Sequence, residues 1–172
     1  MTPYFKGMRL ERWPRSLAIF VGCAAFFFIH YSLFSSINII WLTSQLVFSF
    51  LLTWAISTAN YIINEIVDAP YDAHHPTKRN RPLVKGDIQK KPFLFLGIMI
   101  MIISLALAAF FFSRPFFLSL LALLVAGFIY NIKPLRTKDI PFLDSISESI
   151  NNPIRFLIGW FALSPTHFFP PV

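Results

Sequence analysis

The sequence predicts an all-α integral membrane protein with about five transmembrane helices. Three observations carry that prediction. Apolar residues are 56% of the 172 and charged residues only 13%. The apolar residues fall into runs near the ~20 positions that a spanning helix needs. The bases gather between the runs: of 15 Lys and Arg, 13 lie before the first run or in the loops after the second and fourth. By length the chain is a single transmembrane domain, 1–172. It has no glycine-rich phosphate loop, no Cys/His zinc spacing, no internal repeat and no cleavable signal peptide. The lone Cys23 excludes an internal disulfide and reads as a small packing residue. The composition calls for a lipid bilayer as partner and not for nucleic acid.

The N-terminal segment carries Lys6, Arg9, Arg12 and Arg15 around Trp13 and Pro14. It reads as interfacial, with Trp at the headgroups and bases at an anionic surface. The first helix is expected over about 17–34, with His30 hydrogen-bonded to a neighbouring helix. The second, about 37–69, is spotted with Gln45, Ser49, Thr53, Ser57 and Asn60, mostly at helical spacing. In lipid such a polar face must look into the bundle or a wet cavity. Pro70 is expected to end or kink this helix, because it lacks a donor and restrains Ala69. Asp72 is then placed in the first turn of a polar loop, which includes a Gly86-Asp87 turn signal. Helices over about 93–112 and 116–132 follow, joined by Ser113-Arg114-Pro115. A basic loop leads to a fifth helix, about 142–163. That helix carries Asp144, Glu148, Asn151, Asn152, Arg155 and Gly159 on one stripe. A charge at the bilayer centre costs about 2.5–3.5 kcal/mol even on insertion scales. The stripe therefore reads either as an internal ion pair, Glu148 with Arg155 through Asn152, or as the wall of a reaction cavity. A proline-containing tail, 164–172, closes the sequence.

Chemistry concentrates in Asn60–Pro82, NYIINEIVDAPYDAHHPTKRNRP. Asn64, Asp68 and Asp72 are four residues apart, with Glu65 beside them. Such oxygen donors suit a hard divalent cation. Lys78, Arg79, Arg81 and Lys85 follow, and bases suit phosphate oxygens. Alone, this spacing also fits a solvated acid–base hairpin at a helix end. Its continuity with the polar face of the second helix favours a site.

Asn64-x3-Asp68-x3-Asp72 followed by His75-Pro76-x-Lys78-Arg79-x-Arg81-Pro82 resembles the first aspartate-rich motif of the UbiA-type intramembrane prenyltransferases. Tyr130-Asn131-x-Lys133-Pro134-Leu135-Arg136-x-Lys138 is similar to the basic loop after that family's fourth helix. Arg9, Arg12 and Trp13 resemble the patch before its first helix. Glu65 stands where the family usually has Asp, and Pro70 falls inside the motif.

The resemblance implies a bundle of about nine helices, of which this chain holds the N-terminal part. It implies Mg²⁺-dependent transfer of a prenyl group from a polyprenyl diphosphate to an acceptor in the membrane. Asn64, Asp68 and Asp72 are then the catalytic metal ligands. Lys78, Arg79, Arg81, Lys133, Arg136 and Lys138 hold the diphosphate, and Glu148 and Arg155 line the acceptor pocket. The family's second aspartate-rich motif is absent, so the chain alone is expected to be inactive, with a C-terminal half missing. Two alternatives stay open. The His75–Pro82 run also resembles enzymes that transfer phosphoribose to a polyprenyl phosphate. A truncated, non-catalytic membrane protein is the other. A CDP-alcohol phosphotransferase needs D-G-x2-A-R, which is absent. The charge bias places the N-terminus and both motif loops in the cytoplasm, at the cell membrane if the source is prokaryotic.

Overall fold

The computed structural model describes residues 2–34, 38–164 and 170, which are helical with no strand among them. A short α1 (Pro3–Gly7) and a 3₁₀ helix (Leu10–Ala18) lead into α2 (Ile19–Ile29). The long α3 (Ile39–Asp72) follows, then a loop containing α4 (Pro82–Lys85). Helices α5 (Lys90–Phe111), α6 (Arg114–Asn131) and α7 (Leu143–Leu163) complete the bundle. The expected start of the second helix at Ile37, and most of the 164–172 tail, lie outside the described residues.

Several boundaries move for local reasons. The first run is not one α-helix: its start is 3₁₀, and it ends in a second 3₁₀ turn, Tyr31–Phe34. Helix α3 opens where the Asn38 side chain accepts from the Ile40 amide at 2.8 Å. It does not stop at Pro70 but runs on to Asp72. Helix α5 starts earlier than expected, at Lys90, because a proline in the first turn removes only a donor that has no partner there. Ser113 caps α6, its hydroxyl accepting from the Phe116 amide at 3.5 Å.

Among the described residues four segments are long and apolar enough to cross a membrane: Pro3–Ile29, Ile39–Asp72, Lys90–Phe111 and Arg114–Asn131. Helix α7 is as long, with 21 residues, but its polar stripe keeps it out of that set. This narrows the expected count of about five. Helix α3 is the exception in length. Its 34 residues reach about 51 Å, against about 30 Å of hydrocarbon. It is long enough for its last turns, which carry Asn64 to Asp72, to reach beyond such a layer.

Lipid tails are as apolar as leucine, so close packing has to hold such helices together. Helices α2 and α7 make the tightest approach. A Cβ on Gly22 would lie 2.0 Å from the Phe156 carbonyl oxygen, and one on Gly159 would lie 1.8 Å from that of Ile19. Cys23 donates its thiol to the Gly159 carbonyl at 3.2 Å, a packing role as expected. Phe26 meets Trp160 edge-on at 5.2 Å, and the His30 ring packs on both. Ile56, Phe116 and Leu120 fill the centre, fully buried. The polar face of α3 turns inward: Ser49 and Thr53 are buried and donate to carbonyls of their own helix at 3.0 and 2.8 Å.

A second apolar cluster roots the loop after α3. It joins Ile62 and Ile66 to Leu83, Ile88 and Phe93, with Tyr4 edge-on to Phe93 at 5.9 Å. The segment carrying Lys78 and Arg81 is thereby tied to α3 at one end and α5 at the other.

Candidate functional site: a charged cavity at the end of the bundle

Helices α3, α6 and α7, the N-terminal segment and both basic loops enclose a cavity of about 500 Å³. Helix geometry explains its wall. Ser57, Asn60, Asn64 and Asp68 recur every three or four residues, so one face of α3 presents them all.

Lys138 is the hub of the mouth. Its Nζ donates to Asn64 Oδ1 at 2.9 Å, Asp68 Oδ1 at 2.6 Å and Asn131 Oδ1 at 2.9 Å. Burial pushes the lysine below its usual pKa, and the Asp68 carboxylate opposes that shift. Arg136 also reaches Asp68, at 3.2 Å, holds Asp139 at 2.6 Å, and lies over the Tyr71 ring. Asp72 pairs with Arg81. Glu65, 2% exposed, receives Arg9 at 2.9 Å and Arg81 at 3.6 Å. Tyr130 donates to Asp144 at 2.8 Å.

Two of these bases stand on strained backbone. Arg9 has φ 51° and Arg136 has φ 30°, both in the left-handed region that non-glycine residues seldom occupy. Strain of about 1–3 kcal/mol persists where the surroundings over-determine it, and such residues cluster at functional sites. Each lies in the segment that brings it to a carboxylate of α3.

The expected residues divide. Lys78, Arg81, Arg136 and Lys138 line the cavity with Asn64, Asp68 and Asp72. Arg79 and Lys133 are exposed and do not line it. In the 3₁₀ turn Lys78–Asn80 and the loop after Asn131 they point elsewhere than their neighbours. Glu148 and Arg155 both line the cavity, but they do not pair with each other. Glu148 meets Arg15 at 3.3 Å at the surface, Asn152 is exposed, and Arg155 is buried. The pair that Asn152 would bridge is therefore absent.

The N-terminal arginines are the residues that the sequence reading left in an anchoring role. Arg9, Arg12 and Arg15 all line the cavity. Their spacing of three was the available signal. It matches the three-residue turn of the 3₁₀ helix Leu10–Ala18, in which positions i and i+3 eclipse.

Among the described residues no three His, Cys, Asp or Glu converge on one point. Asp72 is held by Arg81, so the expected trio is not gathered around one centre. Asn64 and Asp68 do converge, with Asn131, on a single ammonium. Three oxygens already surrounding one positive charge fit an oxygen-seeking cation.

Four helices long and apolar enough to span a bilayer, with acidic and basic motifs meeting in one cavity, define a helical membrane protein with a charged site among the described residues. The chain belongs to the UbiA prenyltransferase family, which matches residues 18–171. Three solved structures of a UbiA homologue from Archaeoglobus fulgidus share the fold. One, bound to GPP and Mg²⁺, gives a TM-score of 0.72 at 22% identity, over 95% of this chain and 55% of that one. Another, bound to DMAPP and Mg²⁺, gives 0.71 at 22% identity, over 92% and 54%. A third, bound to Cd²⁺, gives 0.67 at 22% identity, over 92% and 52%. The chain thus spans about 54% of the length of such a relative. No curated protein matches it.

Proposed function

We propose that this chain forms the prenyl-diphosphate site of a Mg²⁺-dependent prenyltransferase that moves a polyprenyl group to an acceptor within the membrane. The observation that carries the reading is the Lys138 ammonium held by Asn64, Asp68 and Asn131, with Arg136 on the same Asp68 and Arg81 on Asp72. The mouth thus places cation-binding oxygens and phosphate-binding bases together. Homologue structures that bind GPP or DMAPP with Mg²⁺ support the same pairing.

Asn64 and Asp68 would hold the metal, joined by Asp72 once Arg81 releases it, and the metal would neutralise the diphosphate and make it a better leaving group. Arg81, Arg136 and Lys138 then hold phosphate oxygens, Arg by its fork and Lys as a point charge. Their attachment to the carboxylates fixes them before substrate arrives, the preorganisation on which electrostatic catalysis rests. In the transfer, the allylic carbon–oxygen bond breaks and its electron pair leaves with the diphosphate. The acceptor's nucleophilic atom forms the new bond and releases its proton to water in the open cavity. The isoprenoid tail lies among the apolar helices. The aligned relatives extend well beyond the matched portion, and the reading assigns turnover to a bundle completed by equivalent helices.

The reading places both basic loops in the cytoplasm, following the charge bias. A reporter fused after Lys85 or Lys138 is then cytoplasmic, and one at Arg114 is outside. A second reading, phosphoribosyl transfer to a polyprenyl phosphate, rests on the His75-Pro76-x-Lys78-Arg79-x-Arg81-Pro82 run. Calorimetry on the chain in nanodiscs separates these. Geranyl diphosphate is expected to bind with Mg²⁺ and to weaken about 10²-fold in EDTA. Binding indifferent to EDTA sinks the metal assignment. Tight binding of a phosphoribosyl diphosphate with none of geranyl diphosphate moves the assignment to the second reading.

A further inference from the structure

Glu65 stands apart from the acids that line the cavity. It is buried, yet it does not line the cavity itself. Ile62, three residues before it, and Ala69, four after, belong to the second apolar cluster, so this face of α3 is turned away from the cavity. A carboxylate buried there stays charged only when it is paired. Two arginines pair it, Arg9 at 2.9 Å and Arg81 at 3.6 Å, and both of them do line the cavity. They arrive on separate segments rooted in the same cluster. Arg9 follows α1, whose Gly7 is so close to α5 and the loop before it that a Cβ would lie 2.9 Å from Ile88 Cδ1. Arg81 precedes the buried Pro82 and Leu83 of α4.

Asp72 completes the set. It is buried about two helical turns beyond Glu65, and its base is the same Arg81. Two carboxylates thus face two guanidiniums, and the set is neutral. Arg81 is hydrogen-bonded to Asp72, whereas Glu65 stands just outside hydrogen-bond reach of it, at 3.6 Å. Were Asp72 to turn toward a divalent cation, the half-buried Arg81 would be stranded unless another carboxylate received it. Glu65 is close enough to do so. Both of its contacts fall on one oxygen, Oε2, so Oε1 can take a second guanidinium nitrogen. After that exchange two arginines share one carboxylate. The wall then carries one net positive charge beside the cavity where it carried none.

We propose that Glu65 is a positioning residue for the diphosphate. It receives Arg81 when Asp72 turns to the cation, and together with Arg9 it keeps that guanidinium at the cavity wall. The proposal rests on the metal-and-diphosphate reading above and assigns the counter-charge which that reading needs. A purely structural ion pair requires one base. Glu65 has two, and one of them is shared with a carboxylate that the reading calls away. The backbone fits the same role: Arg9 holds φ 51° while its guanidinium meets Glu65.

The test uses the full chain in nanodiscs of neutral lipid, with Mn²⁺ as the probe. Bound Mn²⁺ is read by electron paramagnetic resonance, and geranyl diphosphate is titrated separately by calorimetry. Glu65→Gln leaves Arg81 with Asp72 alone. Asp72 is then harder to release, and Mn²⁺ should bind about tenfold more weakly. Adding Arg81→Gln frees Asp72 and should restore Mn²⁺ binding, although it weakens geranyl diphosphate. Arg9→Gln has the opposite sign: it leaves Glu65 wholly to Arg81, and Mn²⁺ should bind a few-fold more tightly. A merely structural pair predicts no gain from either arginine change. Should Glu65→Gln not fold, the gain in Arg9→Gln decides. Mn²⁺ affinity unmoved by Glu65→Gln, not restored by Arg81→Gln or not raised by Arg9→Gln overturns the proposal. Geranyl diphosphate binding without these shifts would leave the function proposed above standing and sink the role of Glu65. The shifts without geranyl diphosphate binding would do the reverse, and wild type that binds no Mn²⁺ would sink both.

Discussion

The two ends of the cavity use the same kinds of side chain and satisfy them differently. At the mouth Asp68, Asp72 and Glu65 each have a base, and the bases are shared: Arg81 serves two carboxylates and Asp68 takes two cations. At the inner end Arg155, Asn60 and Ser57 keep atoms with no partner. A paired lattice can exchange partners without stranding a charge. Under the proposed function, a metal ion takes the carboxylate oxygens while the released bases meet the diphosphate. The unpaired end has no such partners to exchange.

The largest expected effect comes from breaking the lattice at its centre. Asp68→Ala leaves Arg136, which is 7% exposed, and Lys138 without their shared carboxylate. Removing one partner of a buried pair costs about 3–5 kcal/mol. Thermal unfolding in detergent should show that loss, and Mg²⁺-dependent geranyl diphosphate binding should vanish with it. Unchanged stability would mean that the mouth is wetter and looser than its contacts suggest.

Glu65→Gln comes next. It removes the charge that Arg9 and Arg81 share, but Arg81 retains Asp72. A hydrogen bond to a charged group is worth about 1.5–3 kcal/mol, so the loss should fall in that range. Proteolysis should report where the loss occurs. The N-terminal segment, tied to α3 through Arg9, should become cleavable before the bundle does. Equal protection in wild type and variant would show that the Tyr4–Phe93 contact holds the segment by itself.

Gly127→Ala tests the inner end. The added methyl must displace the Asn60 amide, and overpacking of this kind costs about 1–3 kcal/mol. The mouth touches Gly127 only at its backbone carbonyl, which accepts from Asn131 at 2.8 Å and which an alanine keeps, so diphosphate binding should be largely retained. Loss of diphosphate binding would erase the distinction between the two ends.

These comparisons also show what was legible in the sequence. The bundle was, because ~20-residue apolar runs have one solution in lipid. The mouth was legible wherever spacing alone places a side chain, as for Asn64 and Asp68 on α3. That Arg79 and Lys133 lie outside the cavity lining was not legible, because both stand in short irregular turns, where neighbouring residues do not share a direction. The reach of α3 past Pro70 was also missed. A proline is most disruptive inside a helix, and here the helix has only two residues left to run. The inner end was half legible. The polar stripe on α7 announced a cavity wall or an ion pair, and the position of Arg15 across the cavity decided between them. No local pattern carries that contact, since Arg15 and Glu148 are 133 residues apart.

The smallest effect should come from that same contact. Glu148 and Arg15 are 59% and 46% exposed at 3.3 Å. Water screens such a pair, and holding two long side chains in one geometry offsets most of the attraction, so exposed pairs contribute about 0–1 kcal/mol. Glu148→Gln should leave stability nearly unchanged, and raising the salt should change it no further. This silence separates two roles for the stripe on α7. If Glu148 were the counter-ion of Arg155, neutralising it would leave a buried cation unanswered and cost several kcal/mol. A small effect shows that Arg155 does not depend on Glu148; a large one would return it to an internal pair.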